Sequence, residues 1–201
     1  MAEGALRGNS VMAPAPERLP RPRRSLRALR RDQRGTALVE FALIAPLLFL
    51  LLFGVIEFGR VLNYYNDLTQ LSGQGARATI VGRNPDGSAV GTANADCPAN
   101  SQTIQCQLAK TYPTDGELKR GISVCLGTLG SNGTITTPAT PPAIGDPITI
   151  RTKFTYNFIA NIFGFASITL TSTQTERNEA APTTWTGGNV AGPNGGDACT
   201  P

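Results

Sequence analysis

An acidic residue, Glu40, lies near the start of an otherwise apolar run at residues 37–56. An ionised carboxylate in hydrocarbon costs about 3 kcal/mol on insertion scales, so we expect it to have a cationic partner. Two cationic partners are possible. One is Arg34 of the same chain, with Glu40 reaching towards the cytoplasmic membrane surface. The other is a free α-amino group, which a cut after Gly35 would create on Thr36.

Four cysteines are the second group of residues that could form bonds. All four follow the apolar run: Cys97, Cys106, Cys125 and Cys199. Four cysteines allow three pairings, and we favour Cys97 with Cys106 and Cys125 with Cys199, because the first two are near in sequence. Zinc is the alternative, but the chain has no C-x-x-C motif and no His.

Catalysis by this chain is not predicted. Without His, a Ser-His-Asp or Cys-His arrangement cannot form, and the acidic residues show no paired motif. Gly73 and Gly75 lie in a helical pattern and not after a strand, so they do not form a phosphate-binding loop. We expect no cofactor and no metal. A hydrolase outside any His-dependent scheme is the remaining enzymatic alternative.

The positive charge of the chain is concentrated at its start. Of 18 Lys and Arg and 14 Asp and Glu, nine Arg and only three acids fall within residues 1–34. This segment lacks aromatic residues, so it indicates a cytoplasmic flank under the positive-inside rule and not a nucleic-acid site. Its composition predicts a disordered leader over residues 1–35, in which Met12 is an alternative start.

The apolar run is long enough to cross a bilayer. Its 20 residues with one charge span about 30 Å as a helix. We predict a transmembrane helix over residues 36–57; a cleaved secretory signal would have a shorter apolar core and a small-residue cleavage site. Pro46 lacks an N–H and permits a kink. Glu57 and Arg60 are three residues apart, so we expect them to pair with each other at the outer boundary.

The helical pattern continues beyond the membrane over residues 58–82. One face carries apolar and small residues at three- and four-residue steps, which is typical of a packing face. The helix is predicted to end at Gly82, before a turn. The face consists of Val61, Tyr64, Leu68, Leu71, Gly75 and Ala78.

The rest of the chain indicates a β-rich head. Residues 148–158 alternate, with even positions buried and odd positions wet; 168–172 and 121–126 are further strand candidates. The apolar connection at 159–166 either folds over the head's own core or contacts a partner or the bilayer. The fold class is therefore α+β, a long amino-terminal helix with a small antiparallel head at 83–179 stapled by disulfides, followed by a mobile tail at 180–201.

The run "RGTALVEFALIAPLLFLLLFGVIEFGRVLNYY", with "GARATIVG" at 75–82, resembles the TadE-like family of minor pseudopilins of the tight-adherence system, which assembles Flp pili. Related TadF and TadG proteins share this amino-terminal design, but TadG-like chains usually carry a larger head. The residues that carry the resemblance are Arg34, Gly35, Glu40, Phe41, Pro46, Gly54, Glu57, Phe58, Gly59, Arg60, Gly75, Ala76 and Arg77.

The resemblance implies a role in assembly and no catalysis. A prepilin peptidase would cut after Gly35, and Glu40 with Phe41 would set the register between subunits. The residues expected to take part in helix packing are Pro46, Glu57, Arg60, Gly75 and Arg77. The implied partners are the peptidase, other pilins and pseudopilins, and inner-membrane lipid, with the leader cytoplasmic and the head periplasmic. The alternative is an unprocessed, single-pass periplasmic binding or adhesion domain.

Overall fold

The computed structural model describes residues 29–100, 102–137, 140–159, 166–180 and 187–201, with side chains from residue 35 onward. The chain divides into two units, Met1–Leu48 and Phe49–Pro201. The first helix, α1, runs from Leu29 to Ile80 and belongs to both. The apolar connection at 160–165 and most of the leader lie outside the described residues.

Helix α1 begins earlier than predicted. Residues 29–35 are helical and not disordered, because Leu, Arg and Gln are good helix formers and a lone Gly35 costs only about 1 kcal/mol. The end agrees with the prediction within two residues. Gly82 has φ 64°, and the N–H groups of Gly82 and Arg83 donate to the carbonyls of Thr79 and Ala78. This arrangement satisfies the last helical carbonyls and stops the helix.

The head contains one antiparallel sheet. Its strands are β1 (Ile122–Leu129), β2 (Ile135–Thr136), β3 (Pro147–Asn157), β4 (Ser167–Arg177) and β5 (Gly188–Ala191). Strand β1 pairs with β3 on one side and with β2 and β5 on the other, and β4 pairs with β3 over its whole length. The predicted α+β class is confirmed.

Short helices precede the sheet. Helix α2 spans Thr103–Cys106 and continues as a π-helical turn over Gln107–Thr111. Helix α3 spans Gly116–Gly121. The Asp115 side chain caps α3 by accepting from the N–H groups of Glu117 and Leu118, which satisfies two of the free helical donors.

The main core forms between α1 and the sheet. The predicted packing face of α1 is buried: Leu68 is fully enclosed, and Tyr64, Leu71 and Ala78 are nearly so. They meet the even side chains of β3, which are buried as predicted, together with apolar residues of β1 and α2. These partners are Ile104, Leu108, Ile122, Val124, Leu126, Ile148, Ile150, Phe154 and Tyr156.

The alternation predicted that the opposite face of the sheet is exposed to solvent throughout, and this is wrong. Thr149 and Arg151 are buried there. Arg151 donates to the carbonyl of Gly133 at 2.8 Å and to the Thr173 hydroxyl at 3.1 Å. These bonds satisfy a guanidinium that the C-terminal segment and the β1–β2 hairpin cover.

The predicted mobile tail is folded where it is described. Residues 188–191 form β5, and Ala198 is fully buried in a small second core with Cys125 and Ile135. The N–H of Ile135 donates to the carbonyl of Cys199 at 2.8 Å. Backbone hydrogen bonds therefore hold in place a segment that its composition alone predicted to be mobile.

Both preferred disulfides are present. Cys97 is bonded to Cys106 and Cys125 to Cys199. The first closes a short loop ahead of the π-helical turn, and the second ties the tail to the centre of the sheet. None of the four cysteines is free, so the thiols that a zinc site would need are already used.

Candidate functional site

The apolar half of α1 is suited to lipid. Among the described residues, one helix, within Gly35–Ile80, is long and apolar enough to cross a membrane, with a mean hydropathy of 2.6 in its most apolar stretch. Its large side chains are exposed all round the helix, and an apolar surface on every face is typical of a helix that a membrane or other protein encloses. They are Leu38, Val39, Phe41, Leu43, Ile44, Leu47, Leu48, Phe49, Leu50, Leu51, Leu52, Phe53, Val55, Ile56 and Phe58.

Glu40 lies within this exposed surface, close to the predicted cleavage site. A side chain added at Gly35 would meet no described atom within 4 Å. Thr36 and Glu40 are four residues apart and share one helix face, whereas backbone positions 34 and 40 are about 120° apart around the axis. On the helix, Glu40 is therefore better aligned with Thr36, which would carry the new amine, than with Arg34. The side chain of Arg34 lies outside the described residues.

Pro46 and Phe41 are exposed on the same apolar half. Helix α1 continues through Pro46, which cannot donate to the carbonyl of Ala42. One helical bond is therefore missing inside the membrane-type segment. Phe41 is 61% exposed beside Glu40, so an apolar ring flanks the carboxylate.

Five polar and aromatic side chains join α1 to the head where the apolar segment ends. We call them the juxtamembrane cluster: Glu57, Arg60, Tyr64, Glu117 and Tyr156. Arg60 Nη2 lies 3.2 Å from Glu117 Oε2, and the Tyr64 hydroxyl donates to the same oxygen at 2.8 Å. The Tyr156 hydroxyl donates to Glu57. Glu57 and Arg60 therefore have partners on the head and do not form the expected pair with each other.

The cluster is closed by aromatic packing. The Tyr64 ring lies 5.5 Å from that of Tyr156 and 5.1 Å from that of Phe154, between centroids. The Arg60 guanidinium lies 5.5 Å from the centroid of Tyr156, within the range of a cation–π contact. The second carboxylate oxygen of Glu57 accepts the N–H of Ile159 at 3.1 Å. The end of β3 is thus held against the boundary of the apolar segment.

Both tyrosines of the cluster hold their protons strongly. Burial, followed by the hydrogen bond to Glu117, raises the pKa of Tyr64 to about 12. Burial and the hydrogen bond to Glu57 also raise the pKa of Tyr156. A phenolate at either position would face a carboxylate, so each hydroxyl remains a donor over the physiological range.

Gly75 and Arg77 lie at the far end of α1 and behave differently. A Cβ at Gly75 would come within 2.5 Å of Leu108 Cδ1 and 2.6 Å of Ile150 Cδ1, so the absent side chain is what allows close packing. Arg77 was expected to take part in helix packing, but its side chain is exposed in the last turn. There a positive charge complements the helix dipole.

The sequence did not reveal two of the five members of the juxtamembrane cluster. Its patterns singled out Glu57, Arg60 and Tyr64 but not Glu117, nor the role of Tyr156 as a donor. Glu117 is 57 residues from Arg60, and no periodicity links residues so far apart. The N-cap residue Asp115 was the available signal, because it marks the start of α3 and hence the position of Glu117.

One comparison with known proteins gives a match. The model of the TadE-like protein family matches residues 35–77. No curated protein and no solved structure matches the chain. The matched segment begins at Gly35, includes Glu40 and Pro46, and ends at Arg77 in the last turn of α1. The resemblance to the TadE-like family is thereby confirmed over residues 35–77.

Proposed function

We propose that this protein is a minor pseudopilin that takes part in the assembly of a Flp-type pilus after a prepilin peptidase cuts it behind Gly35. The observation that carries the proposal is the family match, which starts at Gly35 and contains Glu40. The partners would be the peptidase and other pilins and pseudopilins. The chain would contribute surfaces for assembly and no catalytic group.

The proposed mechanism depends on the charge pair between Glu40 and a new amine. Cleavage leaves a cationic α-amino group on Thr36, in the membrane and one helical turn from Glu40. In an assembly, Glu40 of one subunit would neutralise the amine of a neighbour. Such a pair adds little net stability, but leaving either charge alone in lipid is costly, so it would fix the register between subunits.

The proposed topology places the leader in the cytoplasm and the head in the periplasm. The nine Arg before the apolar run and the two disulfides after it support this orientation. A periplasm-dependent reporter fused at Gly82 should be active, and a cytoplasm-dependent one silent. The reverse pattern would contradict the topology.

Amino-terminal sequencing of the membrane-extracted protein tests the cleavage. We expect Thr36 as the first residue when the peptidase is present, and the full leader when it is absent. Gly35→Val should block the cut, because a side chain obstructs approach to the scissile bond. Gly59→Val is the matched control, since Gly59 is also a helical glycine with open space around it, and it should be cut normally.

An uncut protein in cells that assemble pili would instead favour the single-pass periplasmic binding or adhesion domain.

Glu40→Val tests the register pair. We expect this variant to insert and to be cut, yet to lose co-purification with pilin partners and pilus formation. Leu43→Val, one turn away on the same exposed surface, should keep both. Normal pili from Glu40→Val at normal protein level would contradict the register role.

A further inference from the structure

Strand β4 forms a free edge of the sheet. It pairs with β3 on one side, and no described strand pairs with its other side. Eleven residues long, it spans about 36 Å. An edge of this length presents a row of backbone groups that can bind another extended chain.

The register identifies which backbone groups face outward. Phe158 N–H donates to the carbonyl of Ala166, and Asn178 N–H donates to that of Asp146, on the same ladder. In antiparallel pairs hydrogen-bonded positions alternate, so the even residues of β4 bond to β3 and the odd residues point their N–H and C=O away from it. The outward set is Ser167, Thr169, Thr171, Thr173, Thr175 and Arg177.

Within the described residues, strand β4 up to Thr175 lacks the bulge, proline and charges that usually protect an edge against pairing. The pairing with β3 runs without a slip from Asn157↔Ser167 to Pro147↔Arg177, so no bulge twists the edge away. Residues 167–175 contain no Pro, Lys or other charge. Charges occur only at the end, at Glu176 and Arg177. Natural edge strands that stay unpaired are normally blunted by one of these devices.

The direction of β4 restricts what can pair with it. Ser167 lies opposite Asn157, near the Glu57 end of α1, and the N–H groups of Glu179 and Ala180 donate to the carbonyl of Ile80 at its far end. Strand β4 therefore runs along α1 away from the apolar segment. An antiparallel partner, whose hydrogen bonds are better aligned, must run towards the membrane.

A second copy of this chain fits poorly. Two copies anchored in one membrane would hold their β4 strands parallel, so an antiparallel pair of β4 edges would turn one head over. Strand β5 runs in the required direction, but it offers few free backbone groups. Because Gly192 N–H donates to the carbonyl of Ile122, the same alternation leaves only Asn189 and Ala191 with backbone groups that point away from β1. The Asn189 side chain already bonds to Gly196 and Ala198.

We propose that the outer edge of β4 is a docking site for a strand from the head of a different pilin-type subunit, running towards the membrane. The subunit identity rests on the proposed function, whereas the backbone recognition rests on the edge itself. The partner would bond to the odd residues of β4, and its side chains would alternate between the α1 face and the threonine face. This is recognition by strand addition, in which backbone bonds supply the affinity.

Cross-linking in cells that carry the complete pilus system tests the location. A photo-reactive residue at Thr171, in the middle of the edge, should give an adduct whose second component is a cleaved pilin-type subunit. The same residue at Thr155, on the same exposed face but on β3, is the matched control and should give much less. An adduct of twice this chain's mass, or one with an unrelated protein, would overturn the proposed partner.

A proline substitution tests the backbone bond. Thr171→Pro removes an outward N–H and no bond to β3, and should lower the recovered partner about five- to tenfold. Thr171→Val keeps the N–H and should behave as the native chain. Both variants should keep their disulfides.

Equal recovery with Thr171→Pro, together with no adduct at Thr171, would overturn the docking site. Cleavage after Gly35 is measured in the same sample, so failure of the proposed function is seen separately.

Discussion

The two halves of α1 share one backbone but meet different surroundings. From Leu38 to Ile56 the apolar side chains are exposed on every side, while from Tyr64 to Ala78 they are buried on one face. The first half therefore requires an external apolar solvent, and the second supplies one wall of the head's core. The number of apolar faces, and not hydropathy alone, distinguishes a membrane segment from a packing helix.

The juxtamembrane cluster marks the change between the two. Glu57 and Arg60 have hydrogen-bond partners on β3 and α3, and from Tyr64 onward the helix is part of the head. This division predicts that substitutions in the part of α1 that follows the cluster alter the unfolding of the head. Substitutions in the part of α1 that precedes it should not. The experiments below use the full-length protein in detergent.

The largest effect is expected from the disulfide that closes the head. Replacing Cys125 and Cys199 by Ala should lower the free energy of unfolding by about 4–5 kcal/mol, because the bond closes a long loop. The Cys97–Cys106 bond closes a shorter loop, with a sequence separation of 9, so the same replacement there should cost about 2–3 kcal/mol. Denaturant unfolding measures both. Equal losses would show that loop length does not govern these bonds.

Two leucines of α1 give the sharpest comparison. Leu68→Ala should cost about 3 kcal/mol, since Leu68 is fully buried in the core. Leu51→Ala, at a side chain that is 62% exposed, should change the unfolding of the head by less than about 0.5 kcal/mol. A similar loss from both would mean that the membrane half also packs against protein.

Two glycines test the close approach. Gly75→Val would drive its side chain into Leu108 and Ile150 and should destabilise the head by about 2 kcal/mol. Gly73→Val, with nothing within 4 Å, should have little effect. Thermal unfolding of the pair would separate overpacking from helix propensity.

Alkaline pH gives the smallest effect, and Tyr64 of the juxtamembrane cluster contributes to it. The pKa of Tyr64 is raised to about 12 in the folded protein, against 10.0 in the unfolded chain. The unfolded state therefore loses this proton first. The resulting contribution to stability is complete below pH 10 and is lost as the pH rises towards 12. Denaturant unfolding across this range should show the loss, and Tyr64→Phe should reduce it.

Elements with a regular period could be predicted from the sequence. The apolar run, the packing face of α1 and the alternation in β3 all follow from spacing, and the end of α1 follows from Gly82. The pairing of Cys97 with Cys106 followed from proximity. Each of these signals is contained within a short stretch of chain.

Elements that depend on distant partners could not be predicted. Strand β5 has only four residues and no alternating pattern, and it exists because β1 offers it a ladder. Arg151 is buried because the C-terminal segment covers it. Glu117 meets Arg60 only once α3 and α1 are packed. In each case tertiary contacts override local composition.

The bond between Cys125 and Cys199 also orders events in time. Strand β1 is the centre of the sheet, yet its β5 partner and its covalent partner lie 62 or more residues further along the chain. Such non-local pairings form late, because a long loop must close first. A ribosome that has released only the first 186 residues has therefore made a complete anchor but an unfinished head. The bond to Cys125 can form only when residue 199 has also been made, so the head is closed covalently after the last strand of its sheet is available.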